Sequence, residues 1–213
     1  MTHTLHRKGT LENLANDFPM LTIRARGQND GSLWRMKKVL EMASKYPISN
    51  FGDIAQGSKF TIDLDTILTS ENNNLPILHM VFISREDVTE FMKELKEADL
   101  GISVVISGLF DEIFRCCRES GIKPHTANYS LGVFGNTNRL PSPEILEVTT
   151  MCGHSLVPGG LVSKLARDVQ AGKTSPEAAA EKLARNCVCG IFNPKRAARL
   201  LSMISTPENE SNT

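Results

Sequence analysis

The spacing of apolar residues changes near residue 136, and this change sets the main limit on the fold. Before it, short apolar runs of strand length alternate with segments of helical period. After it only helical periods occur, and the boundary at residues 136–143 is rich in Asn, Pro and Ser. We therefore expect an α/β domain over residues 1–135, a helical Cys/His module over residues 142–205 and a disordered tail over residues 206–213.

The first part of the chain predicts a two-layer α/β sandwich, and we favour a ferredoxin-like sheet over a doubly wound one. Residues 77–83 form an almost wholly apolar central strand, and Ser84 is predicted to cap the helix that follows. Residues 21–26 alternate apolar and polar side chains, which predicts a first strand with one wet face and helices mainly on the other. Strand-to-helix steps of roughly 25 residues favour parallel neighbouring strands. A last strand is predicted at residues 126–134.

Composition and charge exclude several classes of protein. Lys and Arg together number 24, as do Asp and Glu, so the formal net charge is zero. A general binder of nucleic acid or of anionic membranes needs a net basic field, which this chain lacks. No apolar run approaches the roughly 18 residues of a transmembrane helix, and the first ten residues lack the apolar region of a secretory signal. We expect a cytoplasmic protein without nucleic-acid or membrane partners.

The cysteines are distributed unevenly along the chain. Their number is odd, at five, and the cytoplasm keeps thiols reduced, so structural disulfides are not expected. Cys116 and Cys117 are adjacent on a predicted helix, whereas Cys152, Cys187 and Cys189 lie in the helical module. A metal or catalytic role for the last three is therefore favoured.

Two short motifs in the helical module are predicted to meet in space. They are residues 151–154 (MCGH) and residues 187–190 (CVCG), and two predicted helices joined by a tight turn separate them. The helix over residues 160–171 runs out about 18 Å, and the helix over residues 176–185 returns about 15 Å. A helical hairpin with arms of similar length brings its two ends together. The side chains of Cys152 and His154 should thus approach those of Cys187 and Cys189.

Three thiols and one imidazole match the donor set of a Cys₃His metal site. Tetrahedral zinc takes such a set, and an iron–sulfur cluster is the other candidate because thiolates are its usual ligands. We expect Cys152, His154, Cys187 and Cys189 to be the ligands. Since protein groups fill all four positions, the metal would be structural or electron-carrying and would have no open position for Lewis-acid catalysis. A metal would also stabilise a small module whose core alone is marginal.

Other interpretations of these residues stay open. Free cysteines often serve as small buried hydrophobic residues. In a thiol-dependent enzyme, Cys152 would act as nucleophile or base with His154 as its partner. A redox disulfide would join Cys152 to Cys187 or Cys189, because cysteines two residues apart bridge poorly. A further hypothesis is that the protein is a regulatory or assembly subunit. The sequence does not decide whether the protein is an enzyme.

The α/β domain offers a second candidate site, for a small molecule or a redox partner protein. Ser107 and Gly108 end a predicted strand and precede a helix, which is where ligands and anions bind in α/β sheets. His125 is expected at the same edge. The basic residues near the start, Arg7 among them, are expected to form a solvated terminus, and the alternative is that they reach over a site or bind an anion.

The motifs MCGH and CVCGIFNP, together with SGLF and the strand before it, resemble an uncharacterised prokaryotic protein family associated with anaerobes. The resemblance extends over most of the chain. It implies no activity, cofactor or partner.

Overall fold

The computed structural model describes residues 4–23, 31, 33–71 and 77–204. The helices are α1 (Leu11–Leu14), α2 (Leu33–Ala43), α3 (Leu64–Thr69), α4 (Arg85–Ala98), α5 (Phe110–Ser120), α6 (Pro143–Thr149), α7 (Gly159–Gln170), α8 (Pro176–Ala184) and α9 (Pro194–Met203). The strands are β1 (Phe18–Ile23), β2 (Asn50–Asp53), β3 (Gly57–Ser58), β4 (Ile77–Phe82) and β5 (Ser103–Ile106).

The strands form one sheet in the order β3-β2-β4-β1-β5, and every neighbouring pair is antiparallel. The prediction of parallel neighbours is wrong for a topological reason. The crossover through α2 leaves a gap between β1 and β2 that β4 fills, and the crossover through α4 leaves a gap between β4 and β5 that β1 fills. This is the split βαβ arrangement of ferredoxin-like sheets, with β3 and α3 added after β2.

Helices α2 and α4 cover one face of the sheet, which confirms an α/β architecture with a helical layer. Strands β1 and β4 send alternate apolar side chains, such as Met20 and Met80, into a core shared with these helices. Ser84 caps α4 as predicted, because its side chain accepts a hydrogen bond from the Asp87 backbone N–H at 3.2 Å. The stripe of Val88, Phe91 and Met92 on α4 is buried in the same core.

The opposite face of the sheet is also covered, so the predicted wet face of the first strand is wrong over the described part of that strand. Thr22, the polar residue of the predicted wet face, is buried on the side that α2 and α4 cover. On the other side Pro19 is buried, and its register partner Val81 on β4 belongs to the core of the C-terminal helices, because the helical module packs there. Residues 24–26 of the predicted strand lie outside the described residues.

The helical module consists of α6 to α9, with its own core of small and aliphatic side chains. Helices α7 and α8 form the predicted hairpin, and Ser175 caps α8 by accepting from the Ala178 backbone N–H. Asn193 caps α9 by accepting from the Arg196 backbone N–H. The predicted tail at residues 206–213 lies outside the described residues.

Residues 121–142 connect the two parts without forming the strand predicted at residues 126–134. Apart from a 3₁₀ turn at Thr137–Arg139, this segment has no regular secondary structure. The strand prediction for residues 126–134 is wrong because a strand needs a neighbouring strand to hydrogen bond with. A cavity separates this segment from β5, the edge strand on that side of the sheet. Among the described residues, no helix has the length and apolar character needed to cross a membrane.

Candidate functional site

Two loops of the helical module carry the motif residues. The first follows α6, where the Cys152 N–H donates to the Thr149 carbonyl at 3.1 Å and the Ser155 N–H donates to the Cys152 carbonyl at 3.0 Å. The second connects α8 to α9, where the Gly190 N–H donates to the Cys187 carbonyl at 3.2 Å. Both loops are thus tight turns whose backbone hydrogen bonds fix the direction of the cysteine side chains.

The structure brings the two loops into contact through their side chains. The sulfur of Cys189 lies 3.6 Å from Nδ1 of His154 and 3.9 Å from the sulfur of Cys187. The thiol of Cys152 lies near that of Cys187, since each influences the pKa of the other. Contacts with defined distances therefore join Cys187, Cys189 and His154, and Cys152 adjoins them through Cys187.

These separations are similar to those between ligands of one tetrahedral ion. With zinc–sulfur bonds of about 2.3 Å and zinc–nitrogen bonds of about 2.0 Å, two sulfurs lie about 3.8 Å apart and a sulfur and a nitrogen about 3.5 Å apart. The distances given above for Cys187, Cys189 and His154 agree with both values. Within residues 4–23, 31, 33–71 and 77–204, however, no group of three or more His, Cys, Asp or Glu side chains is arranged as a ready metal site.

Burial differs sharply between the thiols and the imidazole. Cys152, Cys187 and Cys189 are 1%, 0% and 0% exposed and belong to the core of the helical module. His154 is exposed. The cluster therefore lies at the boundary of the core, with its sulfurs on the inner side and the imidazole toward solvent.

The protonation of the three thiols depends mainly on their mutual hydrogen bonds. The hydrogen bond with Cys187, together with burial, raises the pKa of Cys152. In Cys187 the bond with Cys152 lowers the pKa, but the bond with Cys189 and burial outweigh it, and the pKa rises to about 11. The bond with Cys187 lowers the pKa of Cys189 despite burial. Cys189 is thus the thiol that ionises first.

Backbone groups near the sulfurs favour the thiolates. Those of His154 and Leu156 lower the pKa of Cys152, that of Ile191 lowers the pKa of Cys189 and that of Phe192 lowers the pKa of Cys187, each against the effect of burial. Hydrogen bonds to sulfur of this kind orient and tune thiolate ligands. Burial raises the pKa of these thiols, whereas the backbone groups lower it. A bound cation would lower the pKa further and stabilise the thiolates.

The second loop packs directly on the backbone of β2, and two glycines permit this close approach. A Cβ added at Gly52 would lie 2.9 Å from the Cys189 carbonyl oxygen. At Gly190, where φ is +76°, an added Cβ would overlap the Phe51 carbonyl group. A side chain at Gly190 is therefore excluded twice, by the left-handed backbone and by the strand beneath it.

Arg7 joins the two cysteine loops, although it was expected in a solvated terminus. Its guanidinium donates to the Met151 carbonyl, directly before Cys152, at 3.2 Å, and also to the Ile191 carbonyl, two residues after Cys189. The same group donates to Asp17 at 2.6 Å, and its side chain is 6% exposed. Arg7 is thus a structural support of the site, which was the less favoured of the two expectations for the basic start of the chain.

Asp17 holds this arginine and a second one from α9. Arg196 donates to the Asp17 carboxylate at 2.8 Å, and the Asn193 side chain donates to it at 3.0 Å. Burial opposes the charge on Asp17, but the charges of Arg7 and Arg196 more than offset it and lower the pKa of this carboxyl. The network ties β1, the N-terminal segment and α9 together beneath the cysteine loops.

The second candidate site falls on one cavity of about 430 Å³ beside β5. Ser107, Gly108 and His125, which the sequence predicted at one edge of the sheet, all line it. Their role in binding a ligand stays a prediction. The first turn of α5 and the segment after α5 complete the wall.

Comparison with known proteins adds no relative. No protein-family model, curated protein or solved structure matches the chain. The resemblance of the MCGH and CVCG motifs to a prokaryotic family therefore stays a prediction, and the functional argument rests on the geometry of the site.

Proposed function

We propose that this protein binds a single metal ion, with zinc as the first candidate, through Cys152, His154, Cys187 and Cys189. The observation that carries the proposal is the pair of separations, 3.9 Å between two sulfurs and 3.6 Å between a sulfur and a ring nitrogen. Both separations match the ligand spacings of one tetrahedron, and they join three of the four candidate donors. Closing the site requires Cys152 and His154 to turn toward the same centre as the other two.

The spacing favours one ion over an iron–sulfur cluster as the cofactor. Ligands of a cubane cluster bind different irons and lie farther apart than ligands of one ion. The 3.9 Å between the sulfurs of Cys187 and Cys189 suits two ligands of the same atom. An iron–sulfur cluster stays the second candidate, since thiolates with backbone N–H donors are its usual environment.

The proposed role of the ion is to hold the helical module on the sheet. Four protein ligands leave no open position, so the site would be structural with zinc or electron-carrying with iron, and a redox partner protein would be needed only with iron. The ligands lie in the two loops that Arg7 bridges, and one of these loops contacts β2. We place the protein in the cytoplasm, where the thiols stay reduced.

Metal analysis of the purified chain tests this proposal. Protein prepared without oxygen is expected to be colourless with one equivalent of zinc, or brown with about two to four equivalents of iron. Cys187→Ser should lose the metal, whereas Cys116→Ser should keep it, since Cys116 is also buried but lies on α5. Substitution with Co²⁺ should give thiolate charge-transfer absorption that weakens in Cys187→Ser. Parent protein without stoichiometric metal would defeat the proposal.

A thiol-dependent enzyme is the second candidate, and the pair of Cys189 and His154 supports it. Their atoms are 3.6 Å apart, the reach of a thiol and its base, whereas the sequence favoured Cys152 as the partner of His154. Full burial of Cys189 argues for a ligand over a nucleophile. Iodoacetamide distinguishes the two: fast labelling of Cys189 or Cys152 in metal-free native protein would favour the enzyme.

A further inference from the structure

The segment that follows α5 carries a group of exposed apolar side chains. They are Tyr129, Leu131, Val133 and Phe134, four residues within a stretch of six. Leu131 is 77% exposed and Phe134 is 80% exposed. Single exposed apolar residues are common on protein surfaces, but a group of large ones in one place indicates an interaction site.

Local contacts hold this segment in a fixed position with its apolar side chains outward. Of residues 123–144 only Ser130 is half-buried, and all the others are exposed. The Ser130 hydroxyl lies 3.1 Å from Nδ1 of His6 and accepts a hydrogen bond from the Gly132 N–H at 3.2 Å. A Cβ added at Gly132 or Gly135 would meet nothing within 4 Å, so the chain around the apolar residues stands clear of the protein. A surface that is already held in place loses less conformational entropy on binding.

The area of the exposed apolar group fits one side of an ordinary dimer interface. At their exposures the four side chains leave roughly 400–500 Å² of apolar surface in water. A standard interface takes about 800 Å² from each partner, and about 60% of that area is apolar. The four side chains therefore supply the apolar part of such an interface, and the exposed polar residues around them supply the rest.

The charge distribution favours a second copy of this chain as the partner. Residues 124–138 contain no Asp, Glu, Lys or Arg, and Lys123 and Arg139 lie on either side of them. An uncharged centre with charges at its rim is typical of an interface core. The centre offers no charge to attract a charged partner, whereas two copies of it can match each other about a twofold axis. Because the net charge of the chain is zero, two copies have no overall repulsion to overcome.

We propose that the protein forms a homodimer in which the surface of Tyr129, Leu131, Val133 and Phe134 packs against the same surface of a second copy. Tyr129 also lines the cavity beside β5, so the interface would border the second candidate site. The inference does not depend on the proposed metal, because the four side chains lie outside the cysteine loops.

Sedimentation velocity of the full chain as purified tests the proposal over a concentration range of about 1–100 µM. The mass should approach twice the 23.5 kDa of one chain as the concentration rises. Leu131→Asp should weaken the dimer about thirtyfold or more, since it places a charge at the centre of the interface. A parent protein that stays monomeric over the whole range would overturn the proposal and leave the surface to a different protein.

A matched pair of variants separates this surface from exposed apolar residues in general. Val133 and Ile54 are 45% and 46% exposed, but Ile54 follows β2, which is three strands away from β5 in the sheet. Val133→Asp should weaken the dimer about tenfold, whereas Ile54→Asp should not change it. A dimer that Val133→Asp and Leu131→Asp leave intact, or that Ile54→Asp weakens equally, would contradict the proposed interface.

Hydrogen exchange of the parent locates the interface without any substitution. No backbone N–H or carbonyl of residues 123–134 bonds to another backbone group in the part of the chain that the structure describes. These amides should therefore exchange rapidly in the monomer and more slowly as the concentration rises. Slowing confined to other segments would place the interface elsewhere and overturn the proposal. Metal content is measured separately, so either result leaves the test of the metal site intact.

Discussion

The two groups of cysteines are equally buried, yet their surroundings differ in chemistry. Cys116 and Cys117 are 0% and 7% exposed, and Cys187 and Cys189 are both 0% exposed. On α5 the adjacent residues project to different sides of the helix, and the sulfur of Cys116 lies 3.8 Å from the Arg85 carbonyl. In the second loop, a turn directs the two sulfurs toward each other at 3.9 Å.

The pKa values show what this difference means. Burial raises the pKa of both Cys116 and Cys117, as expected for thiols that serve as core side chains. In the loop the pKa of Cys187 also rises, to about 11, whereas hydrogen bonding to Cys187 lowers the pKa of Cys189 although this residue is just as inaccessible. Burial therefore does not identify a candidate site in this protein; the convergence of donor atoms and backbone N–H groups does.

Removal of the proposed metal should distinguish the cysteines of α5 from those of the second loop most strongly. A chelator that strips the parent protein should lower its free energy of unfolding by more than about 4 kcal/mol, the stabilisation given by a ligand at a thousand times its Kd. Cys116→Ala should respond in the same way, whereas Cys187→Ala should be unaffected by the chelator. Urea unfolding with and without chelator measures this, and equal responses in the two variants would erase the distinction.

Breaking the support beneath the cysteine loops should cost nearly as much. Asp17→Asn leaves Arg7 and Arg196 buried without their carboxylate, so we expect a loss of about 3–5 kcal/mol in the free energy of unfolding. Asp168→Asn, which removes a surface pair with Lys164, should leave the free energy of unfolding almost unchanged. Similar losses in both variants would show that the Asp17 network does not stabilise the fold.

Acid should reveal the same carboxylate. The pKa of Asp17 is lowered from 3.8 in the folded protein, so Asp17 contributes stability above pH 3.8 that is lost as the pH falls toward its folded value. Between pH 5 and pH 3, the free energy of unfolding in urea should fall more steeply in the parent than in Asp17→Asn. Chelator is present throughout, so that acid-driven release of metal does not contribute to the difference. Parallel profiles would contradict the assigned shift.

Two glycine substitutions separate backbone strain from the contact with β2. Gly172 and Gly190 both have positive φ, but an added Cβ meets nothing at Gly172 and overlaps Phe51 at Gly190. Gly172→Ala should cost about 1 kcal/mol, the penalty of the left-handed region, whereas Gly190→Ala should cost about 3 kcal/mol through overpacking as well. Thermal unfolding and metal content measure the difference, and equal costs would mean that the loop moves freely off the strand.

Local signals in the sequence predicted the parts of the site that are local in space. The hairpin of α7 and α8 has nearly equal arms, and this alone indicated that His154 and Cys189 would meet. Capping at Ser84 and Asn193 was predictable because each bond spans three residues. The cap of α8 is Ser175, and since the preceding residue Thr174 also carries a hydroxyl, the local pattern leaves its exact position open by one residue.

Long-range contacts explain what the sequence could not reveal. The antiparallel order of the sheet depends on which gap each later strand fills, and no local pattern encodes that choice. Arg7 looked like part of a solvated basic terminus because its partners, Asp17, Met151 and Ile191, are apart from it in the sequence. Burial of an apolar residue is predicted from the spacing of apolar residues along the chain. A buried arginine leaves no such pattern, so the burial of Arg7 could be recognised only once its ion pair with Asp17 was seen in the structure.

The smallest expected effect concerns the cysteines of α5. Cys116→Ala removes one buried sulfur and leaves a small cavity, so we expect a loss of about 1 kcal/mol in the free energy of unfolding with metal content unchanged. The bond from the sulfur of Cys116 to the Arg85 carbonyl, at 3.8 Å, is too weak to add much to this cost. Calorimetric unfolding beside metal analysis measures both quantities. Loss of metal in this variant would mean that burial, after all, had hidden a second group of ligands on α5.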